Sequence, residues 1–245
     1  MKLNTVLFMK NMKGSQSAMI ELINSDDFLD KLKEIVDDDS IEFSKNEKFK
    51  PISKEKPKEG ELKDFLINTE WSELANNIGN WWLGIQKANL RTPNWDFIST
   101  CTINGKKGLL LIEAKAHWNE LTNDHCSSNS KNNREKIETA INQAKDDINN
   151  KNIVPPISIS IDNYYQLSNR IAHSWWLASQ GVPVILLYLG FLNCSDMQDN
   201  VKVFTSDLDW KNCFNQYSSK VGIDNLIGKS IDCNKSEFKL ICRSY

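Results

Sequence analysis

The sequence predicts an α/β fold, a mixed β-sheet flanked by helices, with an N-terminal helical extension and a C-terminal α/β tail. Three features carry the prediction. Asn104-Gly105 lies between two runs of strand-forming residues, a continuous apolar run fills 184–191, and helical apolar spacing marks 69–88 and 164–180. The order is therefore helix, hairpin, helix, strand.

Each element has its own local reason. Residues 18–36 (AMIELINSDDFLDKLKEIV) carry helical spacing in two pieces, with Ser25 or Asp26 as N-cap of the second. Residues 44–64 are rich in Lys, Glu and Pro without apolar periodicity, and read as a solvated linker. Residues 1–65 are thus expected as extension and linker, and 66–245 as the main domain. Over 69–88, Trp71, Leu74, Ile78, Trp81 and Ile85 recur at helical spacing, and Gly79 and Gly84 permit close packing. In 94–116, NWDFISTCTI and KKGLLLIEAKA flank Asn104-Gly105, the pair suited to the positive φ angles of a type I′ hairpin turn. The second strand is apolar on both faces, as in a sheet covered on both sides. Residues from about 119 to 160 form a polar, Asn-rich insert with one helix near 134–148. The helix at 164–180 is stopped by Gly181, with Pro183 beyond. In the tail from 201, a short strand near Val203, a helix over 210–217 and a last strand over 238–242 are expected.

Composition sets the class. The 245 residues suffice for a sizeable core, and 40% hydrophobic with 25% charged residues is ordinary for a soluble protein. A net charge of −2 gives no global basic signal, but a local basic groove depends on where charges sit. The six Cys are scattered and form no CxxC, which suits reduced thiols in a cytoplasmic protein. The opening MKLNTVLFMKNMKG has too short an apolar run for a signal segment, and no run is long enough for a membrane span. The eight Trp suggest a well-filled core more than a stacking surface.

The hairpin carries the chemistry. With Asn104 and Gly105 as the loop, Ile103 faces Lys106, Asp96 falls opposite Glu113, and Asn94 opposite Lys115. Strand alternation then sets Asp96, Glu113 and Lys115 on one face. Cross-strand Cβ atoms lie roughly 4.5–5.5 Å apart, and like charges placed there are destabilising. Two carboxylates at about 4 Å repel by roughly 4 kcal/mol at an effective dielectric near 20. A proton or a divalent cation between them offsets this, and Mg²⁺ (or Mn²⁺) suits one or two carboxylates plus water and phosphate. Charged residues inside an otherwise apolar strand call for a partner or a function. The bland alternative is a surface salt bridge on an ordinary hairpin.

The run Pro93-Asn94-Trp95-Asp96 followed by Glu113-Ala114-Lys115 on the next strand resembles the PD-(D/E)XK nuclease superfamily over residues 70–191. That resemblance implies a restriction-endonuclease-like core and metal-dependent phosphodiester hydrolysis, with DNA as nucleic-acid partner and a homodimer for two-strand cutting. It makes Asp96 and Glu113 metal ligands and Lys115 the catalytic lysine. Glu73, with Glu70 as fallback, is the expected further acid on the preceding helix. Gln166, Asn169, Arg170 and His173 share one face of the helix at 164–180; the first three are expected at the nucleic acid, with Gln166 and Arg170 placed to contact a phosphate or to orient Lys115. His117, one alternation beyond Lys115, is expected to face the same site. A zinc set from His117, His125 and Cys126 lacks a fourth ligand and the usual spacing. The alternative function is a nucleic-acid-binding or scaffolding protein on the same fold with a silent site.

Overall fold

The computed structural model describes residues 12–83, 91–151, 153–197 and 201–245. The chain begins with two helices, α1 (Gly14–Ile23) and α2 (Phe28–Val36). Short strands β1 (Ile41–Glu42), β2 (Phe49–Lys50) and β3 (Gly60–Glu61) precede α3 (Leu62–Leu66) and α4 (Leu74–Trp82). Then come β4 (Asn94–Trp95), β5 (Phe97–Ile103) and β6 (Lys106–Lys115), followed by α5 (Lys131–Asn149) and α6 (Tyr165–Ser179). The chain continues through β7 (Val184–Gly190), α7 (Asp207–Ser218), β8 (Ser230–Asp232) and β9 (Glu237–Ser244).

The main sheet runs β1-β5-β6-β7-β9-β8, with β2 also paired to β5. It is mixed. β5 and β6 are antiparallel, β7 runs parallel to both β6 and β9, and β8 closes the far edge antiparallel to β9. The hairpin turn is as expected: Asn104 and Gly105 have φ of 50° and 73°, and Ile103 pairs with Lys106.

Period-2 alternation splits β6 between two cores. Leu109 and Leu111 pack with α3 to α7, while Leu110, Ile112 and Ala114 pack with α1 and α2. On β7, Leu186 and Tyr188 take the first side, and Ile185, Leu187 and Leu189 the second. Helices therefore cover both faces, which is why these strands read as unbroken apolar runs.

The structure departs from expectation in three places. Residues 44–64 are not a solvated linker: they supply β2 and β3, and Glu47, Pro51 and Glu61 are buried. The helix expected over 69–88 starts at Leu74 and is described to Trp82; Gly84, Ile85 and Lys87 lie outside the described residues. As expected, the polar insert carries one helix, the nineteen-residue α5, whose Ile137, Ile141, Ala144 and Ile148 fill the first core. Near Val203 there are only single bridges, Val203 to His117 and Phe204 to Leu192. Among the described residues no helix is long and apolar enough to cross a membrane.

Candidate active site

The site forms where the β5–β6 ladder runs out. Its last pair is Phe97 with Ile112, so Asp96 stands one residue past the end. Asp96 Oδ2 accepts the Ala114 backbone N–H at 2.7 Å, which serves a strand donor that the ladder no longer reaches. This corrects the expectation of direct cross-strand pairing. Asp96 reaches β6 through its side chain, and Asn94 pairs with Glu61 of β3 instead of Lys115.

The segment that delivers Asp96 is clamped from the other side. Glu61 Oε1 accepts from Thr92 N at 2.9 Å and Thr92 Oγ1 at 3.1 Å, and Leu62 N donates to Pro93 O at 3.2 Å. Gly60 pairs with Trp95, so the same antiparallel register, carried one step on, sets Glu59 beside Asp96. Gly60 is needed there: a Cβ would stand 2.4 Å from Ile98 Cγ2.

Glu113 and Lys115 continue the face of β6 that Leu109 and Leu111 begin, and both are buried. Lys115 Nζ lies 2.6 Å from Glu113 Oε1, and Arg170 Nε lies 2.7 Å from Glu113 Oε2. Arg170 enters from α6. It also donates to Asn94 O at 2.8 Å and to Asn169 Oδ1 at 3.0 Å, and its guanidinium stacks 4.4 Å over the Trp95 ring.

This arrangement separates the two acids. Burial pushes Glu113 upward, but the charges of Arg170 and Lys115 outweigh it and hold the carboxyl below its usual range. Among the described residues Asp96 has no such cation in contact. Burial, then the charge of Glu113, push it up to about 8, against the opposing pull of Lys115. Burial works against the charge of Lys115, yet Glu113 and Asp96 outweigh it and raise the ammonium above its usual range. Glu59 is raised, first by burial and then by Glu113.

A polar cleft of about 610 Å³ opens over these groups. Asp96, Glu113, Lys115, Gln166, Asn169 and Arg170 line it, as anticipated, along with Glu59, Arg91 and the loop residues Asp124 and His125. Asp124 anchors α6, accepting the Gln166 N–H at 3.0 Å, and so fixes the helix end that borders the cleft.

Three expectations are corrected. Glu73 is exposed at the start of α4, Glu70 is exposed before it, and neither borders the cleft. Both precede Leu74, the first helical residue, and Glu59 and Asp124 are the further acids among the described residues that do border the cleft. His117 pairs with Val203 once β6 has ended, lies 3.4 Å from Glu120, and is likewise outside the cleft lining. His173 is fully buried against Trp82, where burial lowers it to about 3 and keeps it neutral. Arg170, which lines the cleft, meets Glu113 directly.

Glu59 had no usable signal in the sequence. It sits in a charged run, and a two-residue strand is too short to show periodicity. Asp124 was equally hidden in the polar insert. Among the described residues no group of three or more His, Cys, Asp or Glu side chains gathers to hold a metal. A cation in this cleft would therefore rest on two carboxylates, with water and substrate oxygens completing its shell. The donors suit a hard divalent ion. Asp96 Oδ1 has no hydrogen-bond partner among the described residues, and each Glu113 oxygen keeps a lone pair beyond its single bond. Comparisons with family models, curated proteins and solved structures found no match.

Proposed function

We propose that this chain is a divalent-metal-dependent nuclease that hydrolyses phosphodiester bonds, with DNA as substrate. One observation carries the reading: Asp96, raised to about 8 beside the ionised Glu113, borders a polar cleft together with Lys115. A carboxyl in that position favours a proton or a cation, and strongly perturbed acids gathered in a cleft are characteristic of reaction centres. The resemblance of Pro93 to Lys115 to PD-(D/E)XK nucleases supports the same assignment, and it alone favours DNA and a homodimer.

In this reading Asp96 and Glu113 hold Mg²⁺ or Mn²⁺. The bound ion supplies Lewis-acid polarisation of the phosphate and a more acidic water. Asp96, fixed through Ala114 N–H, presents its other oxygen to the cleft. Glu113 is kept anionic by Lys115 and Arg170. Lys115 holds its proton and offers the cation that orients the attacking water or meets the charge developing on phosphorus. Gln166 and Asn169, at the end of α6 nearest the cleft, offer amide groups to the substrate backbone.

The test is calorimetric titration with Mn²⁺ together with nicking of supercoiled plasmid. The wild type is expected to bind Mn²⁺ and to nick, and Asp96→Ala and Lys115→Ala are each expected to lower nicking at least about 100-fold. Only Asp96→Ala should also abolish Mn²⁺ binding. A second reading, a silent nucleic-acid-binding scaffold, is favoured by the fact that both oxygens of Glu113 already contact cations. Nucleic-acid binding without nicking, unchanged in Asp96→Ala, would decide for it.

A further inference from the structure

Glu113 sits between two cations of unequal freedom, and the consequence rests on the nuclease reading. Lys115 Nζ holds Glu113 by one contact, 2.6 Å, and makes no other hydrogen bond among the described residues. Arg170 is fixed at four points: Glu113 Oε2, Asn94 O, Asn169 Oδ1 and the Trp95 ring. Both are buried, so neither is held loosely by solvent. Moving Arg170 breaks all four contacts, whereas Lys115 can turn away by breaking one.

We propose that Arg170 is a positioning residue acting through Glu113: it stays as the carboxylate's permanent counter-cation and so frees Lys115 to turn to the reacting phosphate. A buried carboxylate must keep a partner. Without Arg170, Lys115 is the one cation among the described residues in contact with Glu113, and it stays pinned there. Arginine suits the task because its planar fork engages several acceptors while its face stacks on an indole.

The experiment compares Arg170→Gln and Arg170→Lys with the wild type. For Arg170→Gln, kcat should fall about 10–100-fold with KM within about threefold, while Mn²⁺ binds as tightly as before or more tightly because a competing cation is gone. Arg170→Lys should recover about tenfold of the lost kcat, since charge is restored without the fork. A merely structural role predicts the opposite split, with Mn²⁺ affinity and kcat lost together. Metal-free protein gives a readout independent of catalysis: acetic anhydride labelling of Lys115, relative to the exposed Lys131, read by peptide mass spectrometry. Labelling should fall about threefold or more in Arg170→Gln as Lys115 is pinned more firmly. Wild-type turnover in Arg170→Gln, Mn²⁺ binding weakened in step with kcat, or increased Lys115 labelling would each overturn the proposal. Should Arg170→Gln not fold, Asn169→Ala removes one tie and keeps the charge, and a smaller fall in kcat at constant Mn²⁺ affinity is expected; an unchanged kcat would count against the idea. A wild type that neither binds Mn²⁺ nor nicks sinks the nuclease reading, and the labelling comparison still decides the role of Arg170.

Discussion

Asp96 and Glu113 border one cleft yet act on stability with opposite sign. Asp96 has a folded pKa raised to about 8, so between about 4 and 8 the native state binds a proton that the unfolded chain has released. Stability from this group is complete below the unfolded value and is lost as pH rises through the folded one. Asp96→Asn is therefore expected to raise the melting temperature at pH 8.5, by about 2–4 °C for each kcal/mol relieved, with the gain vanishing near pH 3.5. Glu113 is shifted downward, so its contribution is present above the unfolded value and is lost in acid. Glu113→Gln leaves Lys115 and Arg170 without their anion and should cost about 3–5 kcal/mol at pH 7 in denaturant titration. A stabilising Glu113→Gln, or a destabilising Asp96→Asn at pH 8.5, would refute this division. Glu113 and Lys115 were legible because alternation along β6 fixed their shared face, whereas Asp96 was found near them without the direct pairing read for it, since the ladder ends at Phe97. Glu59 and the true partners of Arg170 were not legible, because they depend on contacts between segments far apart in sequence.

Among the elements, the smallest strands position the cleft. β3 and β4 contribute two residues each, yet their pairing carries Glu59 to Asp96 and draws the chain before Asp96 away from β6. The longer elements were readable because each repeats its signal: alternation in β5 and β6, apolar spacing in α4 and α6, and an apolar run in β7. α6 was read as amphipathic, but Asn169, Arg170 and His173 are buried along with its apolar side. Its polar face meets the carboxylates and the Trp pair of α4 instead of water. β2 and β3 were read as linker because lysine-rich composition masked contacts with β5 and β4. The close approach at Gly60 makes this element testable. In Gly60→Ala the new Cβ meets Ile98 Cγ2 at 2.4 Å and Lys50 Cβ at 3.2 Å, so β3 must move off β5. Overpacking of this kind typically costs about 1–3 kcal/mol. Urea unfolding should show that loss with an unchanged m-value, and a variant as stable as wild type would mean that β3 is free to shift.

At the scale of the molecule, packing crosses the division drawn from sequence at residue 65. α1 and α2 place Ile20, Leu22, Leu32 and Val36 against Leu110, Ile112, Leu187 and Leu189, and so cover one whole side of the central strands. Burying a Leu or Ile side chain contributes about 1.5–3 kcal/mol, so stripping these helices exposes strand residues worth on the order of 10 kcal/mol. Typical domains have only about 5–15 kcal/mol in total. The same truncation removes β1 and β2, leaving the outer edge of β5 open, and removes Glu61, which clamps the segment leading to Asp96. Expression of residues 66–245 alone is therefore expected to yield protein without a cooperative thermal transition, prone to associate through the bared strand face and edge. Calorimetry and size-exclusion chromatography check this. A monomeric fragment that melts cooperatively would show that the covering helices are an accessory layer and that the sheet stands without them.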